Sequence, residues 1–562
     1  MPSSGSSPTL LAAAESWPLA SEAAWQQGTR HVARDGGRAT TLDKPTAQLA
    51  VSLEKHLQQL ASGQSLENLR QIRDNAWFLD EHPRLSMTEY VIALAHRYLE
   101  RCGNTTRIRD ALQWPENITR WRWLSLLLPP DLLVAAMYAD DCAEPPSEDV
   151  TLVTPQLAEL LANRVAETHL HLGAALPFSW LWTHLVRVIA HEPPSAKELQ
   201  KANAPLFGSG RAMLAKWLAA ALVRILLASF LWEHELRDTS RTLTDYLKNA
   251  TEKLAARTDW TFGAPDVCRI IETALGELRG QSEGFSFART QMFYRRLIGP
   301  APTHSLQNIA DLVDSDPMSA WLPWSEGRSL PETRFTARAL RYLRKTGQRD
   351  DAFAWAFWQV QRVRNQFYRY VTQEPGTAGL DWFFRHYQRI GALRKGLKKI
   401  QGQLALALES KDVHLAALEA RIGPDASWTD VRDEVRAFAR AAAGHAQSPE
   451  IGLLVHFIKE REVTVIGKRF AHADPRLTGW RYGYWCSKRN KEALAITTAL
   501  RHHPELLLIL RGMDVASMEL SIPTWTLVPL FKTLRNAGLK ASKQLAHRFP
   551  RLRITPLRAT CH

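Results

Sequence analysis

The stretch that decides the predicted fold is Val165-Ala-Glu-Thr-His-Leu-His-Leu-Gly173. The segment before it, TPQLAELLANRV from Thr154, spaces its apolar residues three and four apart, as an amphipathic helix does. Within the stretch the spacing changes to alternation, which predicts a β-strand. Residues two apart in a strand point to the same face, so we expect the His169 and His171 side chains to project together, where they can share one divalent ion.

The spacing of these two histidines is a weak signal on its own. With 19 histidines among 562 residues, chance supplies about 0.6 pairs separated by a single residue. A pair of ordinary structural histidines is therefore the alternative to a metal site. The rest of the chain has to distinguish the two.

Apolar runs and helical segments alternate after Pro449. Ile451–Ile458 is a mostly apolar run, residues 488–500 have helical spacing, and Glu505–Leu510 is a second apolar run. Residues 525–537 are helical again, and Leu552–Thr560 is a third strand candidate. Strands that are apolar throughout and are followed by helices are typical of parallel βα units. The fold class predicted is α/β, either a βα barrel or an open parallel sheet.

Most of the remaining chain has helical spacing, interrupted by clusters of Gly and Pro. These patterns divide the sequence into five predicted parts: a loose tail over 1–43, an N-terminal helical region over 44–153, the first strand with its histidine pair over 154–180, a helical insertion over 181–447, and further strands and helices over 448–562.

The composition is that of a soluble globular protein, with 45% apolar and 23% charged residues. The five cysteines are scattered and form no C-x-x-C pair, which favours a reducing compartment. The N-terminus lacks the basic start of a secretion signal, and the most apolar segment, Leu218–Leu236, carries charges and is predicted to be a buried helix. We therefore expect a cytoplasmic protein that is not inserted in a membrane.

The formal net charge of +14 points to anionic partners. The stretch from Arg334 to Lys399 contains fifteen basic residues and only four acidic ones, interleaved with aromatic residues. Such a stretch can bind nucleic acid through arginines such as Arg362, Arg364 and Arg369. The alternative is a pair of amphipathic helices with an aromatic core stripe and a solvated basic face.

Three motifs resemble those of the adenosine deaminase family, metal-dependent hydrolases built on (β/α)8 barrels. AETHLHLGAAL, at 166–176, resembles the family's first metal-binding motif. Gly512-Met-Asp-Val-Ala-Ser-Met-Glu519 resembles its fourth-strand motif, G-x-D-x-A-x-x-E, whose glycine lies against the purine. Ala559-Thr-Cys-His562 resembles the lead-in to its fifth-strand H-A-G-E motif. The three occur in the family order, each after a strand candidate, as sites on the C-terminal face of a barrel require.

The resemblance implies an incomplete (β/α)8 barrel with an N-terminal helical region and a large helical insertion. It also implies zinc-dependent, hydrolytic deamination of adenosine or adenine nucleotides to the inosine form. The site residues it implies are His169, His171 and His562 as zinc ligands and Gly173, Gly512, Asp514 and Glu519 at the substrate. For the two carboxylates, a helix cap or an ion pair within the barrel is the alternative role.

Within the family, the size, the helical additions and the segments around His456 and Asp514 are most similar to the deaminase subunit of the RADAR anti-phage defence system. That similarity implies a homo-oligomer with an ATPase partner. Most adenosine deaminases have an aspartate for the ribose 5′-hydroxyl where this chain has Gly173. Its absence favours a 5′-phosphorylated substrate; the alternative is a glycine that only serves the turn after the strand.

The sequence ends at His562, whereas the family's acid/base glutamate would come three positions later. The resemblance therefore implies a family member truncated at its C-terminus, with its catalytic glutamate beyond the last residue, and it leaves open whether this chain is active on its own. The alternative function is a non-catalytic subunit that binds nucleic acid, or assembles with partners, through the basic helical insertion.

Overall fold

The computed structural model describes residues 8–20, several positions between 53 and 70, and residues 87–541 apart from 460–481, 518–521 and shorter gaps. The chain forms two compact units. A helical unit comprises Met1–Thr154, Phe178–Ser305 and Ala310–Lys395, and an α/β unit comprises Pro155–Pro177, Leu306–Ile309 and Gly396–His562.

The helical unit is built almost entirely of α-helices, with one small sheet. In that sheet β1 (Leu99–Cys102) pairs antiparallel with β2 (Thr105–Ile108), and β2 pairs parallel with β3 (Val150–Thr151). The helices are Pro8–Ala20, Met87–Tyr98, Glu116–Leu127, Pro130–Met137, Phe178–His191, Ala196–Lys201, Gly210–Arg237, Leu243–Ala255, Ala264–Leu278, Phe287–Ile298, Ile309–Asp314, Pro331–Lys345, Asp351–Thr372 and Leu380–Leu393, with a 3-10 helix at Pro317–Ala320.

The helix Pro8–Ala20 corrects the prediction of a loose tail for residues 8–20, and the rest of the predicted tail, 1–7 and 21–43, lies outside the described residues. Trp17 is buried, and the helix packs against the helix Glu116–Leu127. Tyr90 donates a hydrogen bond to the carbonyl oxygen of Glu15, and Tyr98 donates one to its carboxylate. The segment was predicted as a tail because its apolar stretch is short, and the partners that order it come from distant parts of the chain.

The helix Gly210–Arg237 forms the centre of the helical unit. Among the described residues, its span Gly210–Glu235 is the one helix long and apolar enough to cross a membrane, and most of it is buried inside the protein. Arg224, midway along it, is fully buried and makes a bidentate pair with Asp316 at 2.6 and 3.0 Å. A buried core helix can be as long and as apolar as a membrane-spanning helix. The prediction that this segment is a buried helix is confirmed.

The α/β unit contains a sheet of five parallel strands in sequential order. Its strands are β4 (Val165–His171), β5 (Leu415–Ile422), β6 (Glu450–Lys459), β7 (Leu510–Ser517) and β8 (Lys540–Ala541). Its helices are Pro155–Ala162, Gln401–Glu409, Trp428–Ala443, Gly483–His502 and Val528–Asn536, with 3-10 helices at Pro504–Leu508 and Thr524–Leu527. The predicted α/β class with parallel βα units is therefore confirmed.

Two predictions about strands need correction, and a third falls on residues that the structure does not describe. β5 lies inside the stretch 181–447 that was predicted to be helical, because Leu, Ala, Glu and Arg favour helices when tertiary contacts are ignored. The strand predicted at Glu505–Leu510 instead begins at Leu510, after a 3-10 helix. The candidate strand at 552–560 lies outside the described residues, and the fifth strand of the sheet is β8, well before it.

The two faces of this sheet differ in character. One face packs against the helices in a continuous apolar core, as the strand residues Leu418, Val455 and Met513 illustrate. The other face carries polar side chains near the strand ends, on β4, β5, β6 and β7. This polar face positions the candidate site: Glu167, His169, His171, Glu419, Arg421, His456 and Asp514.

Candidate metal centre

His169 and His171 lie side by side at the C-terminal end of β4. Their ring centroids are 4.9 Å apart, with 49° between the ring planes. Alternation along the strand places both on one face, as predicted from the sequence. The strand is held at this end by β5, because the Leu172 N–H donates to the Arg421 carbonyl at 3.2 Å. The backbone therefore presents both imidazoles together.

A third imidazole, His456 on β6, lies beside His171. Its ring centroid is 4.8 Å from that of His171, and the two rings meet edge to face at 87°. β4 and β6 are separated by β5, so side chains standing upright on a flat sheet would be about 9.6 Å apart. The side chains of His171 on β4 and His456 on β6 therefore lean toward each other over β5.

Sequence reasoning did not assign His456 to the metal site. It is the one polar residue in the apolar run Ile451–Ile458, which is itself a signal. The register of β6 against β7 sets His456 directly opposite Asp514. Only this pairing shows that the histidine lies beside the fourth-strand motif.

Asp514 is held by contacts from two other strands. Its Oδ2 atom accepts a hydrogen bond from Nε of Arg421 at 2.9 Å and lies 3.5 Å from Nδ1 of His456. Its Oδ1 atom accepts from the Val515 N–H at 2.7 Å. Although burial alone would raise the pKa of Asp514, the contacts with His456 and Arg421 hold it well below its usual range. Asp514 is therefore a fixed carboxylate at neutral pH.

Arg421 connects β5 to strands on both sides of it. Besides Asp514, its guanidinium donates to the Thr168 carbonyl at 2.7 Å and to the Glu419 carboxylate at 3.0 Å. Burial raises the pKa of Glu419, and the neighbouring Arg421 charge offsets part of that rise. Sequence analysis missed Arg421 and Glu419 because it predicted their strand to be helical.

The imidazoles on β4 are held in the neutral form. Burial lowers the pKa of His171 to about 4, and the nearby His456, His169 and Arg421 contribute in the same direction. Burial and the charge of Arg421 also lower the pKa of His169. Neutral imidazole is the form that binds a metal, so no proton has to be displaced at neutral pH.

The donors can be compared with what zinc requires. Two imidazoles that share one Zn²⁺ through bonds of about 2.0–2.1 Å have ring centroids roughly 5 Å apart, and the distance between His169 and His171 is 4.9 Å. Within the part of the chain that the structure describes, no group of three or more His, Cys, Asp or Glu side chains is arranged so that it could hold a metal ion. The β4 pair fits zinc in type, charge and separation. Convergence of further donors requires rotation about χ2, which is a soft torsion for histidine.

The remaining predicted site residues have different positions. Gly173 lies in the turn after β4, where the Ala174 N–H donates to the His171 carbonyl at 2.9 Å. Gly512 is buried in the first half of β7, two residues deeper in the strand than Asp514, and its strand neighbours are Leu454 and Lys540. Glu519 and His562 lie outside the described residues.

Two of the three arginines predicted to bind nucleic acid are buried. Arg362 is buried and donates to the Leu278 carbonyl at 2.9 Å, and Arg364 is buried and bound to the Asp131 carboxylate. Burial lowers the pKa of Arg369. Both interpretations of the basic stretch assumed solvated arginines, which is wrong for Arg362 and Arg364, because their carbonyl and carboxylate partners lie inside the helical unit.

No known family's sequence profile matches the chain, and no curated protein is measurably similar to it. The resemblance to adenosine deaminases therefore rests on the motifs and on the positions that the structure gives them.

Proposed function

We propose that this chain is a zinc-dependent hydrolase that deaminates adenosine or an adenine nucleotide to the inosine form. The observation that carries the proposal is the pair His169 and His171, two neutral imidazoles 4.9 Å apart at the C-terminal end of a strand in a parallel sheet. Enzymes with parallel α/β sheets bind their ligands at that end of the strands.

The sheet supports a barrel of the (β/α)8 type. Its strands are parallel and follow one another in sequence order, and its helices cover one face. A doubly wound open sheet would instead reverse its strand order at some point. Side chains from β4 and β6 also meet across β5, which a sheet curved toward its polar face favours.

The position of the second motif supports the family. The residues that resemble the fourth-strand motif lie on β7, which is the fourth strand of the parallel sheet counted from β4. Asp514 of that motif is directed at the cluster that contains the first-strand histidines. Two motifs more than 300 residues apart in sequence thus meet at one face of one sheet.

The chemistry that zinc supplies when bound is activation of water for attack at C6 of adenine. His169 and His171 would hold the ion. Asp514, fixed as a carboxylate by Arg421, is placed to accept a proton or a hydrogen bond beside them. The turn at Gly173 offers no carboxylate to repel a 5′-phosphate, so AMP or another nucleotide is the preferred substrate class. By the same resemblance we propose a role in anti-phage defence with an ATPase partner.

Zinc content and deamination of the full chain test this proposal. The double variant His169→Gln/His171→Gln is compared with His502→Gln/His503→Gln, a second histidine pair in the same unit. Bound zinc is measured by elemental analysis after dialysis, and adenosine, AMP and ATP are assayed for conversion to the inosine form.

We expect about one zinc per chain in the wild type and in the His502/His503 control, and zinc lost from the His169/His171 variant. Deamination should depend on zinc and should be greater for AMP than for adenosine. Equal zinc content in both double variants would refute the proposed site.

A further inference from the structure

We propose that His456 is a third ligand of this metal site and that Asp514, itself held by Arg421, positions it. The inference rests on the proposed function, because it adds to the ion that His169 and His171 would bind. Neither the adenosine deaminase motifs nor the spacing of the first histidine pair assigns a ligand to the third strand of the sheet.

His456 is placed as a ligand beside His171. It is 7% exposed, and its ring centroid lies 4.8 Å from that of His171, the same spacing as within the β4 pair. Three imidazoles near the ends of parallel strands supply the residue types of the His₃ donor set of catalytic zinc sites, although no three donors among the described residues already converge on one ion. The edge-to-face orientation requires only rotation of the ring about χ2 to aim a nitrogen at the shared position.

Asp514 decides which nitrogen of His456 is available. Its Oδ2 atom lies 3.5 Å from Nδ1 of His456, a buried atom that makes no hydrogen bond among the described residues. A carboxylate on that side favours the tautomer with its proton on Nδ1 and leaves the lone pair of Nε2 for an ion. Metal-binding histidines are regularly oriented by a carboxylate in this way.

Arg421 restricts the carboxylate in turn. It binds Oδ2 of Asp514 at 2.9 Å while the Val515 N–H holds Oδ1 at 2.7 Å. The guanidinium is itself fixed by the Thr168 carbonyl at 2.7 Å. Asp514 therefore has one orientation available, and Arg421 acts as a positioning residue through it.

The charge of the cluster favours a cation over an anion. Arg421 contacts Asp514 and Glu419, and the Glu167 carboxylate accepts a hydrogen bond from the backbone N–H of His169 at 2.7 Å. One guanidinium and three carboxylates give a formal charge of −2 around three imidazoles. A nucleic-acid phosphate would be repelled there, whereas a divalent cation would be attracted.

The test measures Zn²⁺ affinity of the full chain by calorimetry, competing with a chelator of known affinity. The variants are His456→Gln, Asp514→Asn and the control His503→Gln, whose imidazole lies in the same unit. We expect the affinity to fall at least tenfold for His456→Gln and about 10–100-fold for Asp514→Asn. His503→Gln should bind as the wild type does.

A second measurement separates positioning from a loss of structure. Nitrogen-15 spectra of the metal-free protein report which nitrogen of His456 carries the proton, and Asp514→Asn should reduce the Nδ1-protonated form while circular dichroism stays unchanged. If His456→Gln does not fold, Asp514→Asn and these spectra still decide the question.

The outcomes separate this inference from the proposed function. If His169→Gln/His171→Gln abolishes zinc binding while His456→Gln and Asp514→Asn bind as tightly as the wild type, the inference is overturned and the proposed function stands. If the wild type binds no zinc, both are overturned.

Discussion

The protein places an arginine between two carboxylates in two different settings. In the helical unit, Arg224 binds Asp316 and Glu332, and all three side chains are at most 1% exposed. In the α/β unit, Arg421 binds Asp514 and Glu419, whose side chains are 23% and 16% exposed. The first cluster lies between helices, and the second lies near strand ends beside three histidines.

This difference separates a structural ion pair from a site. Asp316 and Glu332 raise the pKa of Arg224 although burial would lower it, and Trp182 Nε1 donates to Glu332 at 3.1 Å. The charged groups of that cluster pair with one another, and their side chains are shielded from solvent. The Arg421 cluster leaves its carboxylates and two imidazoles within reach of water, which a ligand could replace.

The largest expected effect comes from removing Arg224. Arg224→Met leaves Asp316 buried without its cation and Glu332 with only Arg364, at 3.6 Å, which costs about 3–5 kcal/mol in the free energy of unfolding. Arg421→Met should cost about 1–2 kcal/mol, because Asp514 and Glu419 can be hydrated. Urea unfolding followed by circular dichroism measures both. The contrast between the clusters fails if Arg421→Met proves the more damaging substitution.

Stability measured over a range of pH compares a histidine of the helical unit, His184, with one of the α/β unit, His171. Burial lowers the pKa of His184, in the helical unit, to about 4, as it does for His171. The unfolded chain binds a proton at each near pH 6.5. The stability that each neutral ring contributes is therefore present above pH 6.5 and is lost as the pH falls toward 4.

Replacing each histidine by glutamine should reduce the decrease in the free energy of unfolding between pH 7 and pH 4. We expect about 3 kcal/mol less change between pH 7 and pH 4 for His184→Gln, which is fully buried. For His171→Gln we expect about 1 kcal/mol, since its ring is partly solvated and its interactions are screened. Unfolding midpoints at each pH give both values, and equal slopes for the two variants would contradict the difference in burial.

The smallest effect is expected at an exposed pair. Arg436 and Glu505 lie 2.8 Å apart on the surface of the α/β unit. Exposed ion pairs add little to stability. Glu505→Gln should leave the urea midpoint unchanged, and a clear shift would mean that distance alone, without burial, decides the value of an ion pair in this protein.

The histidine pair and the parallel strands were predictable because their signals are local. Alternation over seven residues identifies β4, and an apolar run identifies β6. β5 was missed because its sequence, LAALEARI, favours a helix in isolation and becomes a strand only between two neighbours. Missing β5 also removed Arg421 and Glu419 from the predicted site.

The other errors have a common physical origin. The buried arginines were expected at the surface because a sequence does not show which distant carboxylate pairs with a charge, and Asp131 lies 233 residues from Arg364. His456 could not be assigned for the same reason: its meeting with His171 depends on how the sheet brings non-adjacent strands together. Zinc binding and deamination stay predictions that the experiments above can decide.

The insertion between β4 and β5 also has a consequence for synthesis. Thr168 and Arg421, which are hydrogen-bonded, are 253 residues apart in the chain. At a translation rate of about 5–20 residues per second, β4 leaves the ribosome roughly 13–50 seconds before the strand it pairs with. During that interval its backbone and its two histidines have no neighbouring strand, so a nascent chain stalled within the insertion should be especially dependent on chaperones.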